Sequence, residues 1–294
     1  MDLQLTTITG GEKLLPVGEQ NYNTTPTQTL NDHVTTSTQT INNHTTNSTQ
    51  TLNKCKTTST QTIKGSVPTG LRLIEEVKTD NICKVVCHYK GYTYVGQNGG
   101  AIDRIDQHGR VNKYFIKLGS GVESIAAHND RLYTLMFGST NPSEVYVHDL
   151  KNTALITSWK HPTFPMAGQR MCLVDDNQLA VGDWPSKQII IYSLTGDVIR
   201  KVPCPPPLTM TGVMCMSSCG DDSLVISYYY ARKVAKMSLK DWSLLWSSNC
   251  VTDPGGIVHH PAGYVLIVSY QVEQTTISVL DENDGNFIDD LHQY

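Results

Sequence analysis

The sequence predicts an all-β fold for residues 71–294, preceded by a disordered N-terminal arm over residues 1–70. From Ile82 onward, short alternating or β-branched runs such as YTYVG and KQIIIYSL are separated by turn residues, and no segment has a convincing helical period. The arm has a different composition. It holds one aromatic residue, Tyr22, and sixteen of the forty-three residues in 21–63 are threonine. Such a stretch has too little apolar surface to offset the entropy of ordering it.

The C-terminal part divides into units that share one plan. An inner strand ends in a polar turn, an apolar second strand follows, a third ends near Asp or Ser-Leu, and a more polar fourth completes the unit. The units begin near Ile82, Val122, Gly168, Gly212 and Gly256. A four-stranded unit at a period of about 40 to 46 residues is typical of a β-propeller blade. Residues 71–77 are left over as a further outer strand, so both a five-bladed ring and an incomplete six-bladed ring remain open. A β-sandwich would explain the strands but not the period.

Residues 71–294 resemble the superfamily of NHL-type and WD-type propeller repeats. The resemblance lies in strand order and period, and in segments 194–198 and 280–285, which are similar to the end of a third strand and its turn in NHL-like blades. It implies that partners bind where the turns between second and third strands meet the connections between blades. Tyr, Trp and Arg are enriched at interface hot spots. The candidate partner-binding residues on this face are Trp184, Tyr229, Tyr230, Arg232 and Tyr270. The alternative is that these side chains pack between blades.

The arm carries four Thr-Gln-Thr tripeptides at a spacing of eleven residues, each followed by Leu or Ile. Eleven extended residues reach roughly 36 Å, which is enough to occupy one groove and leave a short linker. A disordered segment of this kind can add as an edge strand to a partner's sheet, with affinity from the backbone and specificity from alternate side chains. The candidate partner-binding residues of the arm are Thr27, Gln28, Thr29, Thr38, Gln39, Thr40, Thr49, Gln50, Thr51, Thr60, Gln61 and Thr62.

The tripeptide is similar to the anchor recognised by the small dimeric dynein light chain that serves as a dimerising hub. The resemblance implies that Gln28, Gln39, Gln50 and Gln61 cap a helix end in the hub groove while the flanking threonines fill pockets. Two copies of this protein held by several hub dimers would form a ladder in which each bound motif raises the effective concentration for the next. Two alternatives remain open: an inert spacer, or a modified stalk with Asn-x-Ser/Thr sites in segments 23–25, 43–45 and 47–49.

Charge and composition exclude several function classes. The chain carries 23 basic and 27 acidic residues with no basic stripe, which argues against nucleic-acid binding. We see neither a signal peptide nor an apolar run of membrane-spanning length, so we expect a cytoplasmic protein. The eight cysteines are then interpreted as buried thiols. Cys83 with Cys87, and Cys215 with Cys219, should each share one face of a strand as small core residues rather than bind zinc.

The sequence therefore predicts a non-catalytic protein–protein interaction adaptor without cofactor, metal or catalytic residues. One alternative is a propeller binding module on an inert tether, like the terminal domain of tripartite-motif ubiquitin ligases. The other is a metal-dependent propeller hydrolase of the lactonase type, for which Glu123 and Asp183 would be the available ligands. The His259-His260 pair, near an inner strand, is interpreted as structural.

Overall fold

The computed structural model describes residues 3–10, 71–137, 143–161, 171–175, 177–183, 186–205, 213, 215–220, 222–270 and 275–293. Every regular element within these ranges is a β-strand. This part of the chain contains no helix that could span a membrane. The predicted all-β class is confirmed.

Two strands precede the repeated units. Strand β1 (Leu3–Gly10) pairs in parallel with β2 (Leu71–Thr79), with Leu3 opposite Leu71. The predicted outer strand at 71–77 thus exists as part of β2, but β2 lies in a separate two-stranded sheet and joins no four-stranded sheet. The Leu, Thr and Ile residues of 3–10 favour the extended backbone of β1. The four Thr-Gln-Thr motifs lie outside the described residues.

Five four-stranded antiparallel sheets follow, and in each one every strand pairs with its neighbours along the chain. Blade 1 consists of β3 (Cys83–Tyr89), β4 (Tyr92–Gln97), β5 (Ala101–Asp106) and β6 (Val111–Lys117). Blade 2 consists of β7 (Gly121–His128), β8 (Arg131–Phe137), β9 (Glu144–Asp149) and β10 (Leu155–Lys160). Blade 3 consists of β11 (Met171–Val174), β12 (Gln178–Asp183), β13 (Gln188–Ser193) and β14 (Val198–Pro203). Blade 4 consists of β15 (Cys215–Cys219), β16 (Ser223–Tyr228), β17 (Lys233–Ser238) and β18 (Leu244–Ser248). Blade 5 consists of β19 (Pro254–His260), β20 (Tyr264–Tyr270), β21 (Thr275–Asp281) and β22 (Phe287–Gln293).

The blades begin within three residues of the predicted starts and are arranged in a ring, so the five-bladed propeller is confirmed. The period has a local chemical cause. The last residue of each third strand is an Asp or Ser whose side-chain oxygen accepts backbone N–H groups of the following turn, as Asp149 Oδ1 does from Lys151 and Asn152. The side-chain oxygen thus supplies the hydrogen-bond acceptor that these N–H groups do not find in the backbone of the turn. The five capping residues are Asp106, Asp149, Ser193, Ser238 and Asp281.

The core lies between consecutive blades, whose inner strands contact one another from β3 through β7, β11 and β15 to β19. Between blade 5 and blade 1, both fully described at their inner strands, no contact of that extent forms. Val86 shows the difference. It occupies the inner-strand position at which a side chain faces the preceding blade, and it is 48% exposed. The equivalent residues of blades 2 to 5 are at most 5% exposed: Ile125, Met171, Met216 and Ile257. Inner-strand packing is therefore extensive at four junctions and smaller at the fifth, although Val95 and Ile105, on the same face of blade 1 as Val86, are buried.

Candidate functional site

The turns between second and third strands and the connections between blades lie on the same side of the ring, which we call the loop face. In blade 4 this face is built by the turn from β16 to β17, closed by a hydrogen bond from Arg232 N to Tyr229 O at 3.0 Å. Arg232 has a positive φ of 51°, and its Nε lies 3.3 Å from Asp253 Oδ1 in the connection to blade 5. A turn and a blade connection thus meet here through an ion pair.

Three consecutive tyrosines lie at this turn and point in different directions. Tyr228 is fully buried in the core between blades 3 and 4. Tyr230 is 69% exposed, and its ring meets that of Tyr229 edge-on at a centroid distance of 5.3 Å. The structure therefore brings Tyr229, Tyr230 and Arg232 together on the loop face of blade 4. We call these three residues the blade 4 aromatic turn.

The structure describes less of the other two candidates of the loop face. Trp184 lies outside the described residues. The main chain of Tyr270 ends β20 opposite Thr275, which puts it at the equivalent turn of blade 5. A partner-binding role for all five residues stays a prediction.

A buried polar cluster lies beneath the loop face between blades 2 and 3. His161, in the connection after β10, has its Nδ1 2.7 Å from the Tyr192 hydroxyl, and both side chains are buried. Burial lowers the pKa of His161 to about 4 and raises the pKa of the Tyr192 hydroxyl. Nearby, the Ser186 hydroxyl donates to the carboxylate of buried Asp183. His161 is therefore neutral near pH 7. Its hydrogen bond with Tyr192 links the connection after β10 to blade 3. His161 could not be predicted as a site residue, because no other His, Cys, Asp or Glu lies near it in the sequence.

The proposed hydrolase ligands do not form a metal centre in the described part of the chain. Glu123 and Asp183 are both buried, 6% and 0% exposed, and neither belongs to a group of three close ligand atoms there. The one such group among the described residues is Cys219, His259 and Glu282, whose ligand atoms all lie within 4.8 Å of one another. It lies on the opposite side of the ring from the loop face.

That group belongs to a larger cluster at the junction of blades 4 and 5, the polar junction, defined as Cys219, Lys236, His259 and Glu282. His259 Nε2 lies 2.9 Å from Glu282 Oε2, and Lys236 Nζ lies 3.1 Å from Oε1. The hydrogen bonds from His259 and then Lys236 lower the pKa of Glu282 to about 2. Burial raises the pKa of the Cys219 thiol to about 11. The sequence indicates a structural role for His259, and no local pattern in it links these four residues, which are far apart along the chain.

The paired cysteines behave in two ways. Cys215 and Cys219 both pack into the core between blades 4 and 5, so they share a face as predicted. Cys83 and Cys87 do not: Cys83 packs with Val95, whereas Cys87 packs into the core between blades 1 and 2. That prediction was wrong because the pairing of β3 with β4 contains a register shift between Cys83 and Val85. A bulge of this kind turns a strand so that residues four apart face opposite sides. All described cysteines are free thiols.

Comparisons with known proteins identify the fold but no family. No family model and no curated protein matches the chain. Several solved structures are similar to it. The β-propeller domain of Cps50 (Swd1) from Myceliophteria thermophila matches with a TM-score of 0.55 at 11% identity, covering 74% of this chain and 73% of that one. A chain of a nidogen/laminin complex matches with a TM-score of 0.58 at 10% identity, covering 72% and 80%. The computationally designed Ika8 protein matches with a TM-score of 0.50 at 15% identity; this chain, 72% covered, spans only 62% of it. At such identities the likeness concerns the fold alone.

Proposed function

We propose that this protein is a non-catalytic adaptor that binds protein partners through the loop face of its propeller and through its N-terminal arm. The observation that carries the proposal is the blade 4 aromatic turn, where one turn presents an exposed tyrosine, Tyr230, and an exposed arginine, Arg232. Tyr and Arg are the side chains that most often dominate the binding energy of protein interfaces.

The geometry of this turn suits recognition. The ring of Tyr230 is already held edge-on by Tyr229, so it loses little conformational freedom when a partner covers it. Arg232 is held by Asp253, while 68% of its side-chain surface stays exposed. Two of the similar folds come from protein complexes, the nidogen/laminin complex and the Mitotic Checkpoint Complex. A protein ligand is consistent with both observations.

For the arm, the proposal rests on the sequence. The four Thr-Gln-Thr motifs would each add a strand to a groove of the dimeric dynein light chain, and the array would join two copies of this protein. Individually weak motifs become a tight array because each bound hub raises the effective concentration of the next site. A cytoplasmic setting is part of this proposal.

The loop-face part is tested with a photo-crosslinking amino acid placed at Tyr230 in the full chain. Lys240, on an exposed turn at the opposite side of blade 4, carries the same probe as the matched control. We expect a partner to be captured from position 230 only, and Arg232→Ala to abolish that capture. Equal capture from both positions, or capture that survives Arg232→Ala, would contradict this part of the proposal.

The arm part is tested by titrating the full chain with purified dynein light chain in a calorimeter. We expect multi-site binding that disappears when Gln28, Gln39, Gln50 and Gln61 are all replaced by Ala. The control variant replaces Gln4, Gln20, Gln107 and Gln169 by Ala instead. If the unmodified chain binds no hub at high micromolar concentration, the arm is a tether, and the loop-face proposal stands or falls on its own test.

A further inference from the structure

The polar junction differs from the junction of blades 2 and 3, which has apolar side chains at three equivalent positions. Glu282 directly follows the capping residue of its blade, and its backbone N–H donates to Gly263 O. In blades 2 and 4 the residues that make this same backbone bond are Leu150, to Asp130 O, and Leu239, to Asp222 O. Leucine also follows the cap of blade 3. Blade 5 thus has a carboxylate where its three predecessors have leucine.

Two further positions of the polar junction have polar side chains where blades 2 and 3 have apolar ones. Lys236 lies two residues before its capping residue, where blades 2 and 3 have Val147 and Ile191 in the core. His259 lies opposite Val265, a position that corresponds to Ala127 and Leu173 in blades 2 and 3. A cation, an imidazole and a carboxylate therefore converge at one junction, beside the fully buried thiol of Cys219.

Stability alone does not account for this set. Replacing a buried ion pair by apolar side chains of similar volume is often neutral or stabilising. The chain itself has the apolar residues Val147, Leu173 and Leu194 at the equivalent positions of the junction of blades 2 and 3. What the polar set offers instead is a thiol, an imidazole nitrogen and a carboxylate oxygen in one place, each a preferred ligand of zinc.

We propose that Cys219, His259 and Glu282 bind one zinc ion at the junction of blades 4 and 5. The ligand atoms lie within 4.8 Å of one another, and His259 Nε2 and Glu282 Oε2 are already 2.9 Å apart. Tetrahedral zinc, with bonds of about 2.0 to 2.3 Å, needs its ligand atoms roughly 3.5 Å apart. Side-chain shifts on the order of 1 Å therefore complete three ligand positions and leave the fourth for water.

A zinc ion with one thiolate and one carboxylate is neutral, so with the ammonium of Lys236 the cluster carries one positive charge. The side chains of Lys236 and Glu282 are 11% and 17% exposed, so solvent can reach this charge. Lys236 stays on Glu282 Oε1 and on the Glu282 backbone carbonyl, so it holds the carboxylate while Oε2 turns to the metal. Zinc replaces the thiol proton of Cys219, which passes to solvent, and the imidazole proton of His259 moves to Nδ1. Binding therefore releases one proton per zinc ion.

The test uses the full chain, stripped of metal and titrated with Zn²⁺ against a chromophoric chelator and with Co²⁺ by absorption. We expect one equivalent to bind and Co²⁺ to give a thiolate charge-transfer band. Cys219→Ser should remove the band and weaken zinc binding by roughly 10- to 100-fold or more. Cys215→Ser is the matched control. Cys215 lies on the same strand, packs into the same core and is roughly 13 Å away, so its variant should bind like the parent.

Two measurements keep the test decisive if Cys219→Ser does not fold. The double variant Lys236→Ile with Glu282→Leu introduces the residue types that blade 3 has at these positions, Ile191 and Leu194, so it should fold and lose the high-affinity site. X-ray absorption at the zinc edge of the unmutated protein should show one sulphur ligand with nitrogen and oxygen ligands. No uptake at micromolar zinc, a zinc environment without sulphur, or unchanged binding in Cys219→Ser would overturn the proposal.

Discussion

Trp246 of blade 4 donates a hydrogen bond from its indole Nε1 to the backbone carbonyl of Glu282 in blade 5, at 2.9 Å. The same ring lies against Gly285 of that turn. Trp159 of blade 2 has the equivalent place beneath Gly196 of blade 3. Its buried Nε1, however, has no hydrogen-bond partner among the described residues. Two junctions thus share one packing arrangement and differ by one hydrogen bond.

This difference predicts unequal effects of two matching substitutions. Trp246→Phe loses a hydrogen bond as well as ring surface, whereas Trp159→Phe loses ring surface and removes an unpaired buried donor. We expect Trp246→Phe to lower the free energy of unfolding by about 1 kcal/mol more than Trp159→Phe. Guanidinium unfolding of both variants measures it. Equal losses would mean that the bond to Glu282 contributes nothing.

We expect that the turn glycine packed against Trp246 cannot be replaced by a larger residue without loss of stability. Gly285 has a φ of +71°, and a Cβ there would lie 2.5 Å from Trp246 Cε3. Gly285→Ala combines an unfavourable backbone conformation with a clash against a buried ring, so we expect a loss of about 2 to 4 kcal/mol in unfolding free energy. Gly220→Ala is the control, because nothing lies within 4 Å of its Cβ position. It should change stability by less than about 1 kcal/mol.

The exposure of Val86 on the inner strand of blade 1 predicts a contrast at one position of the repeat. Ile257 is 5% exposed between blades 4 and 5, whereas Val86, its equivalent in blade 1, is 48% exposed. Ile257→Ala should cost about 2 to 5 kcal/mol, and Val86→Ala less than about 1 kcal/mol. Urea unfolding distinguishes them. A large loss at Val86 would show that blade 5 or another segment packs on this face in solution.

His161 predicts a loss of stability at mildly acidic pH. Burial holds its pKa at about 4, against 6.5 when unfolded, so between these values the unfolded chain binds a proton that the folded chain does not. Its contribution is therefore unchanged above pH 6.5 and is lost progressively as the pH falls to about 4, by up to about 3 kcal/mol. His161→Gln cannot titrate, so its stability should fall less over this range. Parallel pH profiles of both proteins would contradict the assignment.

The architecture could be predicted from the sequence because contacts between residues close together in the chain produce the repeat. Asp106, Asp149 and Asp281 each end a third strand and cap the next turn with their own side chains. Such contacts span a few residues and leave a visible period. The alternation in each strand follows from burial between blades, so the strand positions could also be predicted.

Features that depend on distant residues were not predicted. The pairing of β1 with β2 joins segments separated by the whole arm. The bulge at Cys83 depends on the register of β4 rather than on β3 itself. The polar junction joins residues of two blades, and Glu282 stands out only when it is aligned with Leu150 and Leu239. Aligning the blades on their capping residues would have revealed it from sequence.

The meander order of the blades has a consequence for biogenesis. Every strand of the five blades pairs only with its immediate neighbours along the chain. No blade therefore has to wait for a segment synthesised much later, as it would if the two ends of the propeller shared one sheet. The entropy cost of loop closure therefore stays small. The blades can fold one after another during synthesis, each packing against the blade before it.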